Sequence, residues 1–445
     1  MKMTVFEEPR ALVLNDFAAH SASGLAQIQE MRRGTATYKG VPIKFGYLPK
    51  YFSQEGFAKL KEDLEHTWRI LVRVIGRYLD DPDYRRLFGF SPELEQMILR
   101  RPAYRTLLPV CRLDIFLNEE TGAFKFCEFN ADGSSAMNEN AELNRTYRNT
   151  LLCREMDERY RQDTFELFDS WVQTFLGIWR ETGKEELPAV AIVDFLEKGS
   201  SAAEFTAFRE AFERAGLEAY VAEIRDMRYE DGSLMTADGH RIDAVYRRAV
   251  TSDILAHRDE VQAFLQAARD RRVCLIGDFC TQVVHDKVLF RILHDPYTAA
   301  FLPEEDNAFI ADHVPYTAML TGEMAEREDV RENREKWIIK PRDSYGAHGI
   351  YPGRLCSPDE WREQLDAHAD KDYILQEFVT PFRTENIYFG AEQPEWQSFS
   401  NMTGVFLYGG RVAGIYSRAS VTPIISVEGD EHEMTSVVLR DKKKC

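Results

Sequence analysis

Polar side chains alternate with apolar ones in two stretches of the chain, separated by a turn-rich segment at 118–122. Arg112 and Asp114 share one face of the first stretch, and Glu128 and Asn130 share one face of the second, because strand side chains alternate with a period of two. Partners in an antiparallel hairpin have residue numbers with a constant sum. One register therefore places Asp114 opposite Glu128 and Arg112 opposite Asn130.

Two facing carboxylates repel each other unless a cation lies between them. Carboxylate and amide oxygens suit Mg²⁺, which takes few protein ligands and completes its shell with waters and nucleotide phosphates. Asp114, Glu128 and Asn130 are therefore predicted to bind metal, and Arg112 to hold a phosphate oxygen and stabilise charge during transfer. The alternative is an exposed polar face on an edge hairpin.

A second group of candidates surrounds a glycine-rich turn. Lys340 lies near the end of an apolar strand, and Ser344, Gly346 and Gly349 follow it. Glycine lets backbone N–H groups approach phosphates, and a lysine at the strand end supplies a point charge for them. The turn fits neither a Walker motif nor a dinucleotide fingerprint, so an ordinary hairpin is the alternative. Lys287 lies at the start of a predicted helix, where a lone lysine usually lies on the solvated surface.

Other polar positions have two interpretations each. Gln376 and Glu377 interrupt an apolar strand, where amide and backbone groups can read the edge of an adenine ring. Arg418 ends a strand, where it faces a γ-phosphate or caps a sheet edge. Arg247 and Arg248 either contact a substrate carboxylate or phosphate, or form an exposed basic pair.

These candidates need a frame of helices and strands to hold them together. Apolar spacing predicts helices within 54–105 and from 155 to 182. Strands alternate with helices between 187 and 276, which is typical of a parallel sheet. Residues 336–379 indicate strand, glycine loop, strand, helix and strand, and 397–426 indicate a hairpin. The sequence therefore predicts an α/β protein.

The composition limits the class of protein. The chain has 445 residues, of which 44% are hydrophobic and 29% charged, and a formal charge of −18. This balance disfavours a nucleic-acid partner bound through a basic surface. No apolar run approaches the roughly 20 residues of a membrane helix, and no signal peptide is recognisable, so a cytoplasmic location is expected. The seven cysteines form no Cys-x-x-Cys pair and are expected to be reduced.

Taken together, the motifs resemble those of the glutathionylspermidine synthase (synthetase domain) branch of the ATP-grasp ligases. The segments that carry the resemblance are 111–114, 127–132, 286–289, 339–341 with the following glycines, 375–377 and 417–418. In ordinary ATP-grasp enzymes the lysines precede the metal-binding carboxylates. Here Asp114 and Glu128 precede Lys287 and Lys340, an order that resembles the circular permutation of this branch.

The resemblance implies ATP and two Mg²⁺ ions as cofactors, with the loop from 344 to 349 as a lid over the triphosphate. The implied roles are catalysis by Arg112 and Arg418, metal binding by Asp114, Glu128 and Asn130, and nucleotide binding by Lys287, Lys340, Ser344, Gly346, Gly349, Gln376 and Glu377.

The implied fold is α/β (α+β), a circularly permuted ATP-grasp fold with an inserted parallel βαβ substrate domain. Its expected parts are a helical and metal-binding half (1–185), the substrate domain (186–282), a nucleotide-binding lid subdomain (283–383) and a return to the core (384–445). Bifunctional members of the family carry an N-terminal amidase domain. The chain reaches the hairpin too early to contain one, so no hydrolytic activity is expected.

The implied function is an acid–amine ligase that forms an amide or peptide bond through an acyl-phosphate and converts Mg-ATP to ADP and phosphate. Its expected partners are a small carboxylate and a small amine, with no nucleic acid and no membrane. An ATP-dependent phosphotransferase on the same fold and a non-catalytic nucleotide-binding module are the alternatives. The residues identify neither the acid, nor the amine, nor the oligomeric state.

Overall fold

The computed structural model describes residues 2–196, 202–344, 348–426 and 429–442. Within these ranges the helices are α1 (Glu7–Asn15), α2 (Phe17–Met31), α3 (Gln54–Asp80), α4 (Pro82–Arg85), α5 (Pro92–Leu99), α6 (Met137–Tyr147), α7 (Leu151–Arg159), α8 (Asp169–Arg180), α9 (Ala202–Arg214), α10 (Thr251–Ala256), α11 (Gln262–Arg269), α12 (Gln282–His285), α13 (Val288–Leu293), α14 (Pro296–Phe301), α15 (Glu304–His313), α16 (Gly322–Ala325), α17 (Glu328–Glu332) and α18 (Pro358–His368). None of these helices is both long and apolar enough to cross a membrane.

The strands of the same ranges are β1 (Thr37–Tyr38), β2 (Val41–Pro42), β3 (Lys50–Ser53), β4 (Val110–Leu117), β5 (Phe124–Asn130), β6 (Tyr160–Asp163), β7 (Val190–Asp194), β8 (Ala219–Glu223), β9 (Arg228–Glu230), β10 (Ser233–Met235), β11 (Arg241–Ile242), β12 (Ala244–Arg247), β13 (Cys274–Ile276), β14 (Thr317–Met319), β15 (Trp337–Pro341), β16 (Tyr351–Pro352), β17 (Tyr373–Glu377), β18 (Arg383–Ile387), β19 (Trp396–Tyr408), β20 (Arg411–Ser420), β21 (Glu431–Met434) and β22 (Ser436–Asp441). The mixed α/β class predicted from the sequence is confirmed.

An antiparallel sheet carries the two predicted hairpins. Its strand order is β21-β20-β19-β4-β5, and β18 pairs with the first part of β19. One face packs on the long helix α3, where Leu113, Val405 and Ile415 join the main apolar core. Because side chains alternate along each strand, Arg112 and Asp114 lie on the opposite face.

Helix α3 supports this sheet because its sequence is strongly amphipathic. It begins at a Ser53 side chain that accepts a hydrogen bond from the Gly56 N–H at 3.0 Å, a common start signal. Leu60, Leu64 and Leu71 recur at helical spacing and are buried, so one stripe of the helix faces the core.

A parallel sheet confirms the alternation predicted between 187 and 276. Its order is β13-β12-β7-β8, and every neighbouring pair in it is parallel. The central strand β7 is apolar and buried, as expected for a parallel strand covered by helices on both faces. That this unit is inserted, that it binds substrate and where its boundaries fall all stay predictions, as does the circular permutation.

The segment predicted as strand, glycine loop, strand, helix and strand forms an antiparallel sheet of order β14-β17-β15-β16. Helix α18 covers it with Trp361 and Leu365, which pack in one cluster with Ile339 and Leu375. This sheet therefore has an apolar cluster of its own, which supports the strands that carry Lys340, Gln376 and Glu377.

The continuous helix predicted from 155 to 182 is wrong. Strand β6 interrupts it between α7 and α8, and pairs antiparallel with β22, which in turn runs parallel to β3. A partner strand from the far end of the chain outweighs the local helical pattern. The last strand of the described chain is thereby joined in one small sheet with two strands from its first half.

Candidate active site

The β4–β5 hairpin has the predicted register over its polar residues. Arg112 lies opposite Asn130, and Asp114 lies opposite Glu128. Beyond this point the register shifts by one residue at a β-bulge whose extra residue is Cys127. A bulge twists the strand and redirects side chains, and bulges are frequent next to active sites.

Asp114 is the centre of a hydrogen-bonded group. Its Oδ1 accepts from Arg112 Nε at 2.7 Å and its Oδ2 from Arg112 Nη2 at 3.0 Å, which makes a bidentate ion pair. The same Oδ2 accepts from Arg418 Nη2 at 2.6 Å and from Asn130 Nδ2 at 3.1 Å. Asn130 Nδ2 also reaches Glu128 Oε1 at 3.3 Å. Side chains from β4, β5 and β20 therefore meet on one face of the sheet.

Glu128 is strongly acidic in this setting. Burial by itself raises the pKa of Glu128, yet the pKa falls to about 2. Positive charges outweigh the burial and are, in order of size, Lys287, Arg418, Arg112 and Lys340. The protein's own cations thus compensate the facing carboxylates, whereas the sequence suggested only a bound ion for that purpose.

Lys340 and Gln376 connect the small antiparallel sheet to the hairpin. Lys340 Nζ donates to Gln376 Oε1 at 2.8 Å and to the carbonyl of Cys127 at 3.4 Å. Gln376 Nε2 donates to Thr317 Oγ1 at 3.0 Å. Since Cys127 directly precedes Glu128, the lysine ammonium reaches the polar group from the neighbouring sheet. The phosphate role of Lys340 and the adenine role of Gln376 stay predictions.

Lys287 holds the start of the glycine-rich loop. Its Nζ donates to the carbonyl of Ser344 at 2.7 Å, and its backbone N–H donates to the carbonyl of Arg342 at 3.0 Å. Arg342 is tied in turn to Asp286, with Nε at 2.7 Å from Oδ2. Lys287 is only 6% exposed, so the surface alternative considered for it is wrong.

Only part of the glycine-rich loop belongs to the described residues. Gly346 lies outside the described residues. Gly349 has a φ of +69°, and a Cβ there would lie 3.1 Å from the Pro341 ring, so both conformation and space favour glycine. Glu377 has an exposed side chain, while its backbone N–H donates to the carbonyl of Tyr316 at 2.8 Å. Nucleotide contacts at these positions stay predictions.

Two carboxylates that the sequence did not single out, Glu431 and Glu433, lie near Arg418, and a third, Glu139, is close enough to Glu433 to raise its pKa. Glu433 pairs with Arg418 across β21 and β20, and Glu431 Oε2 lies 3.9 Å from Arg418 Nη1. Burial raises the pKa of Glu431, of Glu433 and of Glu139, the last to about 7. The Oε2 atom of each has no hydrogen-bond partner in the described part of the chain. The alternation of Glu431 and Glu433 was a signal that could have marked this acidic group (Glu139, Glu431 and Glu433).

The exposed basic pair considered for Arg247 and Arg248 is wrong, because both side chains are buried. Arg247 Nη1 lies 2.6 Å from Asp132 Oδ1, and Arg248 Nη2 lies 2.6 Å from Glu204 Oε1. Arg248 Nη1 also donates to the carbonyl of Ser134. Both arginines therefore fasten the loop after β5 to the parallel sheet, through partners distant in sequence.

The predicted metal ligands contain only two carboxylates. Across the described residues, no group of three or more His, Cys, Asp or Glu side chains forms a metal site. The third predicted ligand is the amide of Asn130, which turns Nδ2 toward Asp114 and Glu128. A half-turn of that amide would present Oδ1 instead. Metal binding here stays a prediction.

Comparison with known proteins gives one family match and one curated relative. The sequence matches the glutathionylspermidine synthase preATP-grasp family over residues 48–428. The putative glutamate–cysteine ligase 2-2 of Frankia casuarinae is 27% identical over 205 residues, which are 43% of this chain and 22% of that protein. The match thus covers less than a quarter of the relative's length.

Among solved structures, the chain is similar to a glutathione synthetase-like effector (GSS30) from Globodera pallida in its apo form. The TM-score is 0.61 at 11% identity, over 97% of this chain and 98% of that one, so the likeness concerns the fold alone. D-cycloserine synthetase DcsG gives a TM-score of 0.28 at 13% identity, over 57% of this chain and 92% of that one, which is too low to support an argument.

Proposed function

The chain belongs to the glutathionylspermidine synthase preATP-grasp family, and from that premise we propose that it is an ATP-dependent ligase. It joins a small carboxylate to an amine through an acyl-phosphate and releases ADP and phosphate. One observation carries the proposal: a buried polar group with two arginines and two facing carboxylates lies where two lysines approach from separate elements. Such a group suits the concentrated negative charge of a triphosphate.

ATP and two Mg²⁺ ions are the proposed cofactors, and the residues would fit the ions once the Asn130 amide turns its Oδ1 toward Asp114 and Glu128. Asp114, Glu128 and Asn130 would hold them, since the low pKa of Glu128 keeps its carboxylate ionised and oxygen donors suit Mg²⁺. Bound Mg²⁺ offsets phosphate charge.

In the first proposed step, a carboxylate oxygen of the acid forms a bond to the γ-phosphorus of ATP. The bond from that phosphorus to the bridging oxygen breaks, and ADP leaves. Arg112 and Arg418 stabilise the transferring phosphoryl group, and Asp114 orients both before substrate binds. Lys287 and Lys340 supply point charges for the remaining phosphates.

In the second step, the amine nitrogen forms a bond to the acyl carbon, the bond from that carbon to the phosphate oxygen breaks, and the nitrogen loses a proton. The acidic group beside Arg418 supports an amine acceptor. Among the described residues, no donor forms a hydrogen bond to one oxygen of each of its carboxylates, so a positively charged amine would supply the missing donors. Glu139, with a pKa of about 7, is suited to accept the proton.

The architectural part of the proposal follows the order of these residues. The carboxylates of β4 and β5 precede Lys287 and Lys340, which supports a circularly permuted ATP-grasp core. The parallel sheet of β7, β8, β12 and β13 is proposed as its inserted substrate domain. The proposed location is the cytoplasm.

Trapping with hydroxylamine tests the acyl-phosphate. The protein is incubated with Mg-ATP, hydroxylamine and a panel of amino acids, small peptides and other carboxylates. The proposal predicts ADP release that depends on the acid, together with a hydroxamate. Lys340→Ala should abolish both products, whereas Lys336→Ala, which alters an exposed lysine just before the same strand, should leave them unchanged.

A phosphotransferase would give a different result. Its product would be heavier than the acceptor by one phosphate, and no amide would form from any amine tried. That outcome would reject the ligase proposal in favour of transfer to a hydroxyl. Binding of ATP with no acceptor-dependent turnover would instead support a nucleotide-binding module.

A further inference from the structure

Strand β19 crosses the middle of the antiparallel sheet and has one glycine, Gly404, in its interior. Gly404 lies opposite Asp114 on β4 and opposite Tyr416 on β20. Glycine weakens a strand interior, because it offers no side chain for packing and loses much conformational freedom on folding. Its presence between two paired strands therefore calls for a reason.

The backbone does not supply that reason. Gly404 has no positive φ, so other residues could adopt its conformation. The space around it does, because a side chain there would meet the Arg112–Asp114 pair. A Cβ on Gly404 would lie 2.7 Å from Asp114 Oδ1, 2.9 Å from Arg112 Cδ and 3.1 Å from Arg112 Nε. The first two separations are shorter than real Cβ contacts.

Aromatic rings complete the space above Gly404. The Arg112 guanidinium carbon lies 5.8 Å from the ring centres of both Phe406 and Tyr416. Tyr416 also lies 5.5 Å from the guanidinium carbon of Arg418. Such rings attract guanidinium groups and limit their movement. The bidentate pair of Arg112 and Asp114 thus lies over a slot that glycine leaves open between two rings.

We propose that Gly404 is a positioning residue for phosphoryl transfer, because its missing side chain leaves the slot in which the Arg112–Asp114 pair lies. In that position the Asp114 carboxylate bonds both Arg112 and Arg418. The inference rests on the proposed function, which assigns the two arginines to the transferring phosphoryl group. Gly404 acts through them and does not touch substrate.

The first experiment compares Gly404→Ala with Val405→Ala. The methyl group of Gly404→Ala should displace the pair by several tenths of an ångström, and kcat should fall about 30- to 100-fold, since small misplacements of catalytic groups have large effects. The Kd for ATP should change less than about threefold, because the lysines keep their positions. Val405→Ala alters the core face of the same strand and should lower stability with kcat within about threefold. An equal fall of kcat in both variants would overturn the proposal.

A double-mutant cycle tests whether Gly404 acts through Arg112. If it does, Gly404→Ala should lower kcat much less in an Arg112→Lys background than in the wild type. Equal factors in the two backgrounds would overturn the proposal, because the methyl group would then act by another route.

A crystal structure of Gly404→Ala separates this inference from the proposed function. The Asp114 carboxylate should be displaced from its wild-type position, whichever reaction the protein catalyses. An unmoved Asp114–Arg112 pair would overturn the slot even in an active ligase. If Gly404→Ala does not fold, the double variant Gly404→Ala/Arg112→Ala should recover the fold, because Asp114 keeps its bond to Arg418 and gains room to move. Its failure to do so would likewise reject the steric argument.

Discussion

Two buried clusters of arginines and carboxylates in the described part of the chain are built differently. In the cluster beside the parallel sheet, Arg247 bonds the backbone, with Nε at 2.5 Å from the carbonyl of Gly277 and Nη1 at 2.7 Å from that of Ala249. On the antiparallel sheet, Arg112 and Arg418 bond mainly another side chain, Asp114.

The carboxylates differ in the same way. Glu204 Oε2 accepts from three backbone N–H groups at the start of α6, those of Ala136, Met137 and Asn138, at 3.0, 2.7 and 3.2 Å. Within the described residues, Asp114 accepts hydrogen bonds from side chains alone. A group bonded to backbone cannot change partner without disturbing the fold, whereas a side-chain pair can exchange partners with a ligand. Burial of an arginine therefore indicates function only when its partners are known.

The largest effect expected from this comparison is the loss of stability in Arg247→Ala. The variant leaves the buried carboxylate of Asp132 without its ion pair, and removing one partner of a buried pair costs about 3–5 kcal/mol. Urea unfolding measures the change. Arg228→Ala, an exposed arginine of the same region paired with Glu230, should lose less than about 1 kcal/mol. Equal stability of Arg247→Ala and the wild type would contradict the structural role assigned to this cluster.

Arg112→Ala should have the opposite profile. Asp114 keeps its bond to Arg418, so the variant should unfold at a higher urea concentration than Arg247→Ala. Activity should fall about 10²- to 10³-fold in kcat, the usual effect of removing one donor to a developing charge. Steady-state rates of ADP release, measured with a substrate found by hydroxylamine trapping, provide the comparison. If Arg112→Ala keeps full activity but is severely unstable, then both clusters serve the fold rather than catalysis.

The hairpin register could be predicted because it depends on local information. A period of two and a short turn fix which of Arg112, Asp114, Glu128 and Asn130 face each other. The polarity of the strands also indicated the charged face. Three of the four cations that lower the pKa of Glu128 come from outside the hairpin, namely from β15, from the residue before α13 and from β20, and no local pattern specifies that approach.

Burial of Arg247 and Arg248 could not be predicted for the same reason. Their partners Asp132 and Glu204 lie far away in the sequence. Without these partners, two adjacent arginines have the same local sequence pattern whether they are buried or exposed. Strand β6 is a similar case, since its partner β22 is the last strand of the described chain. Local periodicity specifies an element's face, and tertiary pairing decides whether the element forms.

A smaller effect on stability is expected from Glu139, whose carboxyl is influenced by arginines of both clusters, Arg112 and Arg248. Burial and Glu204 raise its pKa to about 7, against cations that include Arg112 and Arg248. A raised folded-state pKa contributes stability that is fully present below the ordinary value of 4.5 and is lost as the pH rises through about 7. Glu139→Gln should therefore be more stable than the wild type at pH 8, by roughly 3 kcal/mol.

Urea unfolding at pH 5 and pH 8 measures this dependence. Glu142→Gln, on the same helix and paired with Arg145, is the matched control and should keep the wild-type dependence on pH. If Glu139→Gln instead loses the same stability at pH 5 and at pH 8, nearby cations offset the charge of the Glu139 carboxylate in the folded protein, and the prediction is wrong.

The smallest expected effect separates two roles for Gln376. The sequence suggested that it reads adenine, whereas its side chain lies between Lys340 and Thr317. Gln376→Met keeps the volume but removes both hydrogen bonds, each worth about 1 kcal/mol. If Gln376 positions Lys340, affinity should fall about five- to tenfold for ATP and GTP alike. If it reads the base, affinity for ATP should fall and the preference over GTP should decrease. Glu377→Met, at the exposed neighbouring position, is the control, and an effect confined to it would assign base recognition to Glu377 instead.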